Sequence, residues 1–401
     1  MKALNYALMI CFAFILSFLL PYAYGVATKR ASESTNINFS AVSEEFLRST
    51  SERNPPKQTY ERLSDGKIIS EEEYLYSLPF KNFLYLIAKN KFPPSLSYFA
   101  SDVSLIRSNS QSLNISKGDI LKNQAPLYLL LESTPRLLQL EMPQHIISLR
   151  DGVTFIDMNT NQKDENLSLE FKNTLEKSGL KFPIKELFSN PTTLKPFDEG
   201  AFLVDNQDRV FHLKIVDSKP VVHDTHIQKR DILKIIVNEN SRKEFYGALI
   251  GLDGVFLISY DNYSLLKMPV STYNPLTDNF ALNIDPLFKT ATYKSAEKID
   301  SFVMNPDYSI YKTNSFTKHK DTLFEDVKEY IFTYETKLDV RDFTLKFDIE
   351  NISYKALILG LFFIIFYFII YKKRDAFDIA LLLFGGIYGF ISLILFKRKA
   401  L

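Results

Sequence analysis

The sequence contains no tryptophan and a single cysteine, Cys11, which lies inside an apolar run near the N-terminus. A disulfide within the chain is therefore excluded, and so is a metal site built on several cysteines. The net charge is only +1, and no block of lysine and arginine interleaved with aromatic residues occurs away from the apolar runs. We therefore expect no nucleic-acid partner.

Enzyme signatures are missing as well. The chain has no Gly-x-Ser-x-Gly elbow, no Walker A loop, no Gly-x-Gly-x-x-Gly loop and no His-Glu-x-x-His motif. Without a Walker A loop it cannot hydrolyse ATP by the usual P-loop mechanism, although it can be the partner of a subunit that does. We predict no catalytic residues and no cofactor.

Long apolar runs are present, and they bracket a more polar central region. They are Ala7–Leu20, Ala356–Tyr371 and Ile379–Phe396. The last two are each about long enough to cross a bilayer, and only Lys372–Asp378 separates them. We therefore predict a transmembrane helical hairpin over residues 354–396, followed by a basic tail over 397–401.

The N-terminal segment, residues 1–27, has two interpretations. Ala23-x-Gly25 and Gly25-x-Ala27 are small-x-small pairs typical of a signal-peptidase site, so the segment is either a cleaved signal peptide or an uncleaved transmembrane helix. In both cases we expect the central region to leave the cytoplasm. The predicted location is the bacterial inner membrane, with the main domain on the periplasmic side.

Charge at the membrane flanks does not settle the orientation. With the main domain outside, Lys2 and Lys372–Arg374 lie inside, but Lys397–Lys399 would lie outside if both C-terminal helices cross. The inverted arrangement exchanges these positions. The positive-inside rule is therefore satisfied only in part either way, and the signal-like N-terminus favours the extracytoplasmic arrangement.

Between the apolar runs we predict three regions. Residues 28–58 are rich in polar residues and proline, which is typical of a linker. Residues 59–95 form a helical subregion, in which Ser70 and Glu73 have the spacing of a capping box. Residues 96–350 form a β-rich extracytoplasmic domain, interrupted by a helix that ends at Gly179.

Within the β-rich region, similar hairpins recur at intervals of roughly 45 to 55 residues, near the period of propeller blades. Their turns are rich in Asp, Asn, Gly and Pro. The four hairpins are Ile146–Asp157, Ala201–Val216, Ala248–Tyr260 and Phe302–Tyr311. A propeller-like fold closes the exposed sheet edges, whereas an antiparallel sandwich is the competing architecture.

Two further patterns have both a functional and a plain structural interpretation. His223 and His226 could share a metal if they lay on a helix, but the preceding valines indicate a strand, which favours no metal site. Gly385, Gly386 and Gly389 form a small-residue face in the last apolar run. Such a face permits close helix packing but is also frequent by chance.

A longer string of motifs resembles an uncharacterised bacterial membrane-protein family, carried as a domain of unknown function. The motifs are Leu78-Pro79-Phe80, Phe92-Pro93, Pro126–Ser133, Leu140–Pro143, Phe155–Met158 with Thr160-Asn161, Phe182-Pro183, Asn190–Thr193 with Lys195, Phe197–Gly200 and Phe211–Lys214. The resemblance implies an anchored extracytoplasmic domain, often encoded beside ABC-transporter ATPase and permease components. It transfers no catalytic residue. We also hypothesise that the loop residues Asn190, Lys195, Asp198, Glu199 and Gly200 mark one functional rim.

Two functions from different classes follow. The first is a non-catalytic accessory subunit of an ABC-type export or maturation system, with the bilayer and the transporter subunits as partners. The second is an independent membrane-anchored ligand-binding or sensor protein, which a pocket of convergent polar groups would favour. An envelope enzyme is the weakest alternative, because no nucleophile, base or metal constellation is visible.

Overall fold

The chain divides into two units, which are described separately. The computed structural model describes residues 2–28, 34–53, 56–121, 127–135, 139–149, 152–269, 272–318, 322–341, 344–350, 352–370 and 375–396. The central unit comprises residues 35–50 and 58–318, and the terminal unit comprises residues 1–34, 51–57 and 319–401.

The helices of the described residues are mostly short, apart from those near the termini. They are α1 (Lys2–Thr28), α2 (Glu71–Ser77), α3 (Phe83–Ala88), α4 (Ser97–Ser101), α5 (Val103–Ser108), α6 (Lys117–Leu121), α7 (Glu165–Lys177), α8 (Thr322–Ile331), α9 (Ala356–Ile370) and α10 (Ala376–Phe396).

Strands dominate the remainder. They are β1 (Ser34–Phe39), β2 (Phe46–Arg53), β3 (Pro56–Arg62), β4 (Ile68–Ile69), β5 (Gln111–Ile115), β6 (Leu127–Tyr128), β7 (His145–Ser148), β8 (Thr154–Asp157), β9 (Lys163–Asp164), β10 (Glu186–Ser189), β11 (Ala201–Val204), β12 (Arg209–Val216), β13 (Lys219–Gln228), β14 (Ile232–Val237), β15 (Phe245–Gly251), β16 (Gly254–Ser259), β17 (Leu265–Lys267), β18 (Asn279–Ile284), β19 (Lys289–Lys294), β20 (Lys298–Met304), β21 (Ile310–Thr317), β22 (Glu335–Arg341) and β23 (Thr344–Glu350).

Five sheets follow one another along the chain, and each is built mainly from strands that are consecutive in sequence. The first four are four-stranded: β1–β4, β6–β9, β10–β13 and β14–β17. The fifth is β18–β21, and β5 joins its edge beside β18. None of the sheets formed by the described residues closes on itself. The mainly β character predicted from the sequence is confirmed.

Strand β11 illustrates why these sheets stack. All of Ala201–Val204 is buried, although the strand belongs to one sheet. Ala201 and Leu203 face a core shared with the second sheet, whereas Phe202 and Val204 face a core shared with the fourth. A strand covered on both faces needs apolar residues at consecutive positions, and β11 has them.

The same kind of packing joins the other sheets. Leu257 of the fourth sheet packs with Leu282 of the fifth, and Ile37 of the first sheet packs with Val303 of the fifth. The described cores therefore link the second, third, fourth, fifth and first sheets in that order. Each core combines the apolar faces of two twisted sheets, which is how a β domain removes those faces from water.

The four predicted hairpins are confirmed as antiparallel pairs, formed by β7–β8, β11–β12, β15–β16 and β20–β21. The helix predicted to end at Gly179 is α7, and this glycine has a φ of +90°. Ser70 caps α2 by accepting a hydrogen bond from the main-chain N–H of Glu73, as the capping box predicted. The turn residue Asp151 lies outside the described residues.

Two predicted boundaries differ from the structure. The linker over 28–58 is wrong within residues 34–53 and 56–58, where β1, β2 and the start of β3 lie, and residues 29–33, 54 and 55 are outside the described part. Few apolar side chains mark these strands, since Ile37 and Phe39 alternate with polar residues. The helical subregion over 59–95 begins later, at α2, and continues through α5.

In the terminal unit, α1 and α10 are long and apolar enough to cross a membrane, and α9 is a shorter apolar helix. Helix α10 is not straight, because Gly386 has φ +51° and ψ −124°. Strands β22 and β23 pair as an antiparallel hairpin before α9. The basic segments Lys372–Arg374 and Lys397–Lys399 lie outside the described residues.

Candidate functional site

A buried ionic cluster lies where the loop after β10 meets the end of β14. Lys195 Nζ is 2.6 Å from Asp198 Oδ1 and 2.5 Å from Glu239 Oε1. The three side chains are only 4%, 3% and 0% exposed, respectively. Asn190 binds the same lysine through its main-chain oxygen at 2.7 Å, and its side-chain amide donates to Glu239 at 2.8 Å. The structure thus brings together three of the five predicted rim residues.

The second oxygen of Asp198 is also used. Its Oδ2 accepts hydrogen bonds from the Ser133 hydroxyl at 2.7 Å and from the main-chain N–H of Gly200 at 2.8 Å. Gly200 has φ +77°, and a Cβ atom there would lie 2.1 Å from the carbonyl oxygen of Leu213. Only glycine fits this position, which explains why the Asp-Glu pair is followed by Gly200.

Glu199 points into a different cluster. Its carboxylate forms an ion pair with Lys214, and its main-chain carbonyl oxygen accepts a hydrogen bond from His212 Nε2. Because that carbonyl can only accept, Nε2 carries a proton. The other nitrogen, Nδ1, lies 2.9 Å from the Tyr263 hydroxyl, which donates to it when the imidazole is neutral. Burial lowers the pKa of His212 to about 4, and the charge of Lys214 acts in the same direction.

Aromatic rings surround this histidine. Phe202 stacks on the His212 ring with centroids 4.5 Å apart, and Tyr246 meets it edge-on at 4.9 Å. Tyr246 in turn stacks on Tyr260 at 3.9 Å and on Tyr263 at 5.1 Å. Burial, with the nearby Glu199 carboxylate, raises the pKa of the Tyr260 hydroxyl. At neutral pH the His212 imidazole is uncharged, and the Tyr263 hydroxyl donates a hydrogen bond to it, whereas the Tyr260 hydroxyl is buried without a hydrogen-bond partner among the described residues.

The ionic cluster and the aromatic cluster are neighbours in sequence at Asp198 and Glu199, and both lie between the third and fourth sheets. In the ionic cluster every named charge has a partner of opposite sign within hydrogen-bond distance. His212 already uses both ring nitrogens. This arrangement is better suited to holding the loop after β10 against the fourth sheet than to transferring a proton to a substrate.

A cavity of about 380 Å³ forms a second candidate site in the central unit. Its wall includes amide and hydroxyl side chains together with the rings of Phe39 and Phe80. The other lining residues are Ile37, Asn38, Ala41, Leu78, Pro79, Lys81, Ser110, Gln111, Ser112, Asn240, Asn283, Ile284, Asp285 and Thr290. A cavity of this size can hold a small organic molecule.

One atom in the cavity wall lacks a hydrogen-bond partner. Gln111 is 4% exposed, and its Nε2 donates to Asn238 Oδ1 at 2.7 Å, but its Oε1 has no partner. Asp285 follows Ile284, which is the register partner of Gln111, and accepts main-chain hydrogen bonds from Leu287 and Phe288, both at 2.8 Å. Burial nevertheless raises the pKa of Asp285. The Gln111 Oε1 atom is itself buried, so the unpaired acceptor lies beneath the surface of the wall.

The predicted histidine pair lies on β13. Both His223 and His226 are exposed, and His226 has a φ of +58° where the β12–β13 register shifts. His226 Nδ1 lies 3.6 Å from Asp224 Oδ1. Among the described residues, no group of three or more His, Cys, Asp or Glu side chains could hold a metal ion.

The predicted glycine face lies in the terminal unit. A Cβ atom at Gly386 would lie 2.8 Å from the Thr333 side chain, and one at Gly389 would lie 2.1 Å from the carbonyl oxygen of Leu381. Gly360 of α9 approaches the main chain of α10 in the same way, because its Cβ would lie 3.1 Å from the Leu382 carbonyl oxygen. These glycines serve contacts within the chain.

Comparison with known families adds one finding. Residues 36–304 match the family described as a domain of unknown function, DUF4857. The chain belongs to this family. No curated protein and no solved structure matches it. The expected membership of an uncharacterised family is therefore confirmed, and the DUF4857 match covers most of the central unit.

Sequence reasoning missed several residues of the DUF4857 domain that complete these sites. Glu239 follows a different strand from Lys195, and no local motif marks it. Tyr246 and Tyr263 also carry no signal beyond being aromatic in a strand-rich region. Gln111 could have been suspected, since a glutamine occupies an inward position of β5 between residues that alternate apolar and polar. That its Oε1 lacks a hydrogen-bond partner among the described residues follows only from the tertiary structure.

Proposed function

We propose that this DUF4857 protein is a membrane-anchored, non-catalytic accessory subunit of a bacterial ABC-type export or maturation system. Its terminal helices dock on a permease in the inner membrane, and its β unit contacts substrate or partner on the periplasmic side. The observation that carries the proposal is a set of polar contacts within the terminal unit, which join α1 to α10, to the residue before α10 and to β22. A simple anchor needs no such contacts.

Those contacts are specific. Tyr6 on α1 donates to the carboxylate of Asp375 at 2.7 Å, and the hydroxyls of Ser17 and Thr336 lie 2.6 Å apart. Ser392 on α10 donates to the carbonyl oxygen of Met9 at 3.1 Å. The Ser392–Met9 bond joins two apolar helices, and hydrogen bonds of this kind are characteristic of assembled membrane bundles. They also support the interpretation that α1 is retained rather than cleaved as a signal peptide.

Lipid-facing or partner-facing surface remains available on this unit. Ile365 and Ile369 of α9 and Phe384 of α10 are 60%, 77% and 69% exposed, respectively. Large exposed apolar side chains on apolar helices are covered by lipid or by another membrane protein. A permease is the membrane protein that the proposal places there.

Affinity purification of the full chain in mild detergent tests the proposal. We expect the ATPase and permease subunits to co-purify, and we expect Ile365→Trp with Ile369→Trp to reduce their recovery several-fold. The matched control is Leu169→Trp, an exposed position on α7 of the central unit. Recovery of the protein alone from repeated preparations, with no transporter subunit, would contradict the proposal.

A second function, independent ligand binding, is favoured by the cavity. The amide and hydroxyl side chains of its wall match an uncharged, hydroxyl-bearing small molecule such as a saccharide. The polar groups of the wall can bind the hydroxyls of such a molecule.

Thermal shift of the purified full chain with a panel of neutral mono- and disaccharides tests this function. We expect at least one sugar to stabilise the wild type, and Ser112→Trp, which fills the cavity, to abolish the shift. Asn173→Trp on the exposed side of α7 is the control and keeps it. The same stabilisation in Ser112→Trp would place binding elsewhere, and no shift with any sugar would reject a saccharide ligand.

We further propose that the five sheets are successive blades of a propeller-like arrangement. The order of their shared cores supports this, and so does the contact between β10 and β14, which begin neighbouring sheets. Closure requires the first and second sheets to meet. An experimental structure in which those two sheets stay apart would favour the sandwich instead.

A further inference from the structure

Helix α10 changes direction inside the apolar run. Gly386 has φ +51° and ψ −124°, a conformation that L side chains rarely adopt, and the regular helix stops there. The two halves, residues 376–385 and 387–396, are each about 15 Å long at 1.5 Å per residue. Neither half can cross a hydrocarbon core of about 30 Å.

The halves fold back on each other rather than bending slightly. In a straight helix, Leu381 and Gly389 would be separated by about 12 Å along the axis. Instead, a Cβ atom on Gly389 would lie 2.1 Å from the Leu381 carbonyl oxygen. Tyr367 of α9 packs against both Leu382 and Leu393, one from each half.

Contacts with α1 show where the two ends of α10 lie. Tyr6 stacks on Phe377, near the start of α10, with centroids 4.1 Å apart. Phe12 packs edge-on against Phe396, the last residue of α10, at 5.4 Å. Tyr6 and Phe12 are only about 9 Å apart along α1, whereas Phe377 and Phe396 would be about 28 Å apart in a straight helix. Both ends of α10 therefore lie beside the N-terminal part of α1.

The tip of the fold points the other way. Gly386 lies against Thr333, and the neighbouring Tyr388 donates a hydrogen bond to the carbonyl oxygen of Tyr334 at 2.7 Å. Ala13 and Leu16, farther along α1, belong to the same core as Tyr388. The tip is thus level with the middle of α1.

We propose that α10 is a re-entrant helical hairpin that enters and leaves the membrane on the face where the N-terminus of α1 lies. The C-terminus then lies on the same face as the N-terminus, while α1 and α9 are the crossing segments. Helix α9 spans only about 22 Å. Its start lies level with the tip of α10, because Ser353 donates a main-chain hydrogen bond to Thr333, against which Gly386 lies. A crossing α9 therefore requires a locally thin bilayer.

This topology accounts for the positions of the basic residues beside the apolar segments. Lys2, Lys372–Arg374 and Lys397–Lys399 adjoin helix ends that now share one face of the membrane. The positive-inside rule then favours the cytoplasm for that face, because its seven Lys and Arg residues outnumber Lys29, Arg30 and Lys355 beside the opposite helix ends. It favours the extracytoplasmic side for the residues between α1 and α9. A crossing α10 leaves Lys397–Lys399 on the wrong side in this orientation, and both Lys2 and Lys372–Arg374 in the inverted one.

Reporter fusions after Leu401 of the full chain test the side of the C-terminus. We expect a green fluorescent protein fusion to fluoresce and an alkaline phosphatase fusion to be inactive, as for a cytoplasmic end. An active phosphatase fusion at this position overturns the proposal. The result does not depend on any transporter partner, so it is separable from the proposed function.

Cysteine cross-linking tests the fold-back itself. In a Cys11→Ser background, which removes the single native cysteine, we pair Tyr6→Cys with Phe377→Cys and Phe12→Cys with Phe396→Cys. A re-entrant α10 links both pairs in membranes with a short bifunctional reagent. A crossing α10 links the first pair only. Efficient linkage of the first pair with none of the second therefore overturns the proposal.

Discussion

The ammonium group of Lys195 lies 2.5 Å from a carboxylate oxygen of Glu239, although one residue follows β10 and the other follows β14. Asp198 completes the group at 2.6 Å from the same nitrogen. Two carboxylates that share one buried cation tolerate burial only while that cation is present. The stability of the third and fourth sheets therefore depends on Lys195.

Replacing this lysine tests that dependence. We expect Lys195→Met to lower the free energy of unfolding by about 3–5 kcal/mol, because it leaves two buried carboxylates without a counter-ion. Lys172→Met is the control, since Lys172 is 53% exposed and 3.9 Å from Glu176, and such pairs contribute less than about 1 kcal/mol. The measurement is chemical unfolding of the full chain in detergent, followed by tyrosine circular dichroism. Equal losses in the two variants would contradict the cluster's role.

The buried His212 predicts a pH dependence. Its pKa is about 4 in the folded chain and 6.5 as a free side chain. A group with a depressed pKa in the folded state stabilises it above the unfolded pKa, and that stability is lost as the pH falls from 6.5 towards 4. The full loss is about 3 kcal/mol, at about 1.4 kcal/mol for each pH unit.

Unfolding measured between pH 7 and pH 4.5 checks this expectation against the His212→Gln variant. Glutamine can still donate to the Glu199 carbonyl but does not titrate. We expect the wild type to lose about 2–3 kcal/mol more than the variant over this range. Parallel curves would mean that His212 is not the titrating group.

The fourth sheet has no room for a side chain at position 247, where the residue is glycine. A Cβ atom there would lie 2.0 Å from the carbonyl oxygen of Ile236 on the neighbouring strand. We expect Gly247→Ala to destabilise the chain by more than about 2 kcal/mol, because β14 and β15 must move apart. Gly118→Ala is the matched control on the exposed helix α6, where the nearest contact is 3.5 Å. That change is expected to be neutral or to stabilise by up to about 1 kcal/mol. Similar unfolding midpoints for both variants would refute the steric argument.

Local features of the fold were predictable because they depend on residues close in sequence. The hairpin turn at Asp253-Gly254, the cap at Ser70 and the end of α7 at Gly179 each depend on the conformational preference of one or two residues. The strands within 34–53 were missed because a few alternating apolar residues in a polar segment resemble a linker.

The candidate sites were only partly predictable. Turn chemistry singled out Asn190, Lys195 and Asp198, but their partner Glu239 comes from another sheet. The cavity was not predictable for the same reason, because Gln111 lines it together with residues that are distant in the chain. Pairings of this kind depend on which faces of the sheets meet, and periodicity within one strand does not encode that choice.

By itself, the sequence determined that this chain has apolar segments at both ends, a β-rich centre and no recognisable catalytic motif. Hydropathy has no direction, so an apolar run of sufficient length predicts a crossing helix whether or not the chain turns back. The tertiary structure decided that point for α10. Gly386 adopts a conformation that only glycine accepts readily, and Gly389 admits the Leu381 carbonyl where a side chain would block it. The run therefore folds back, and the basic residues at both of its ends can share one side of the membrane.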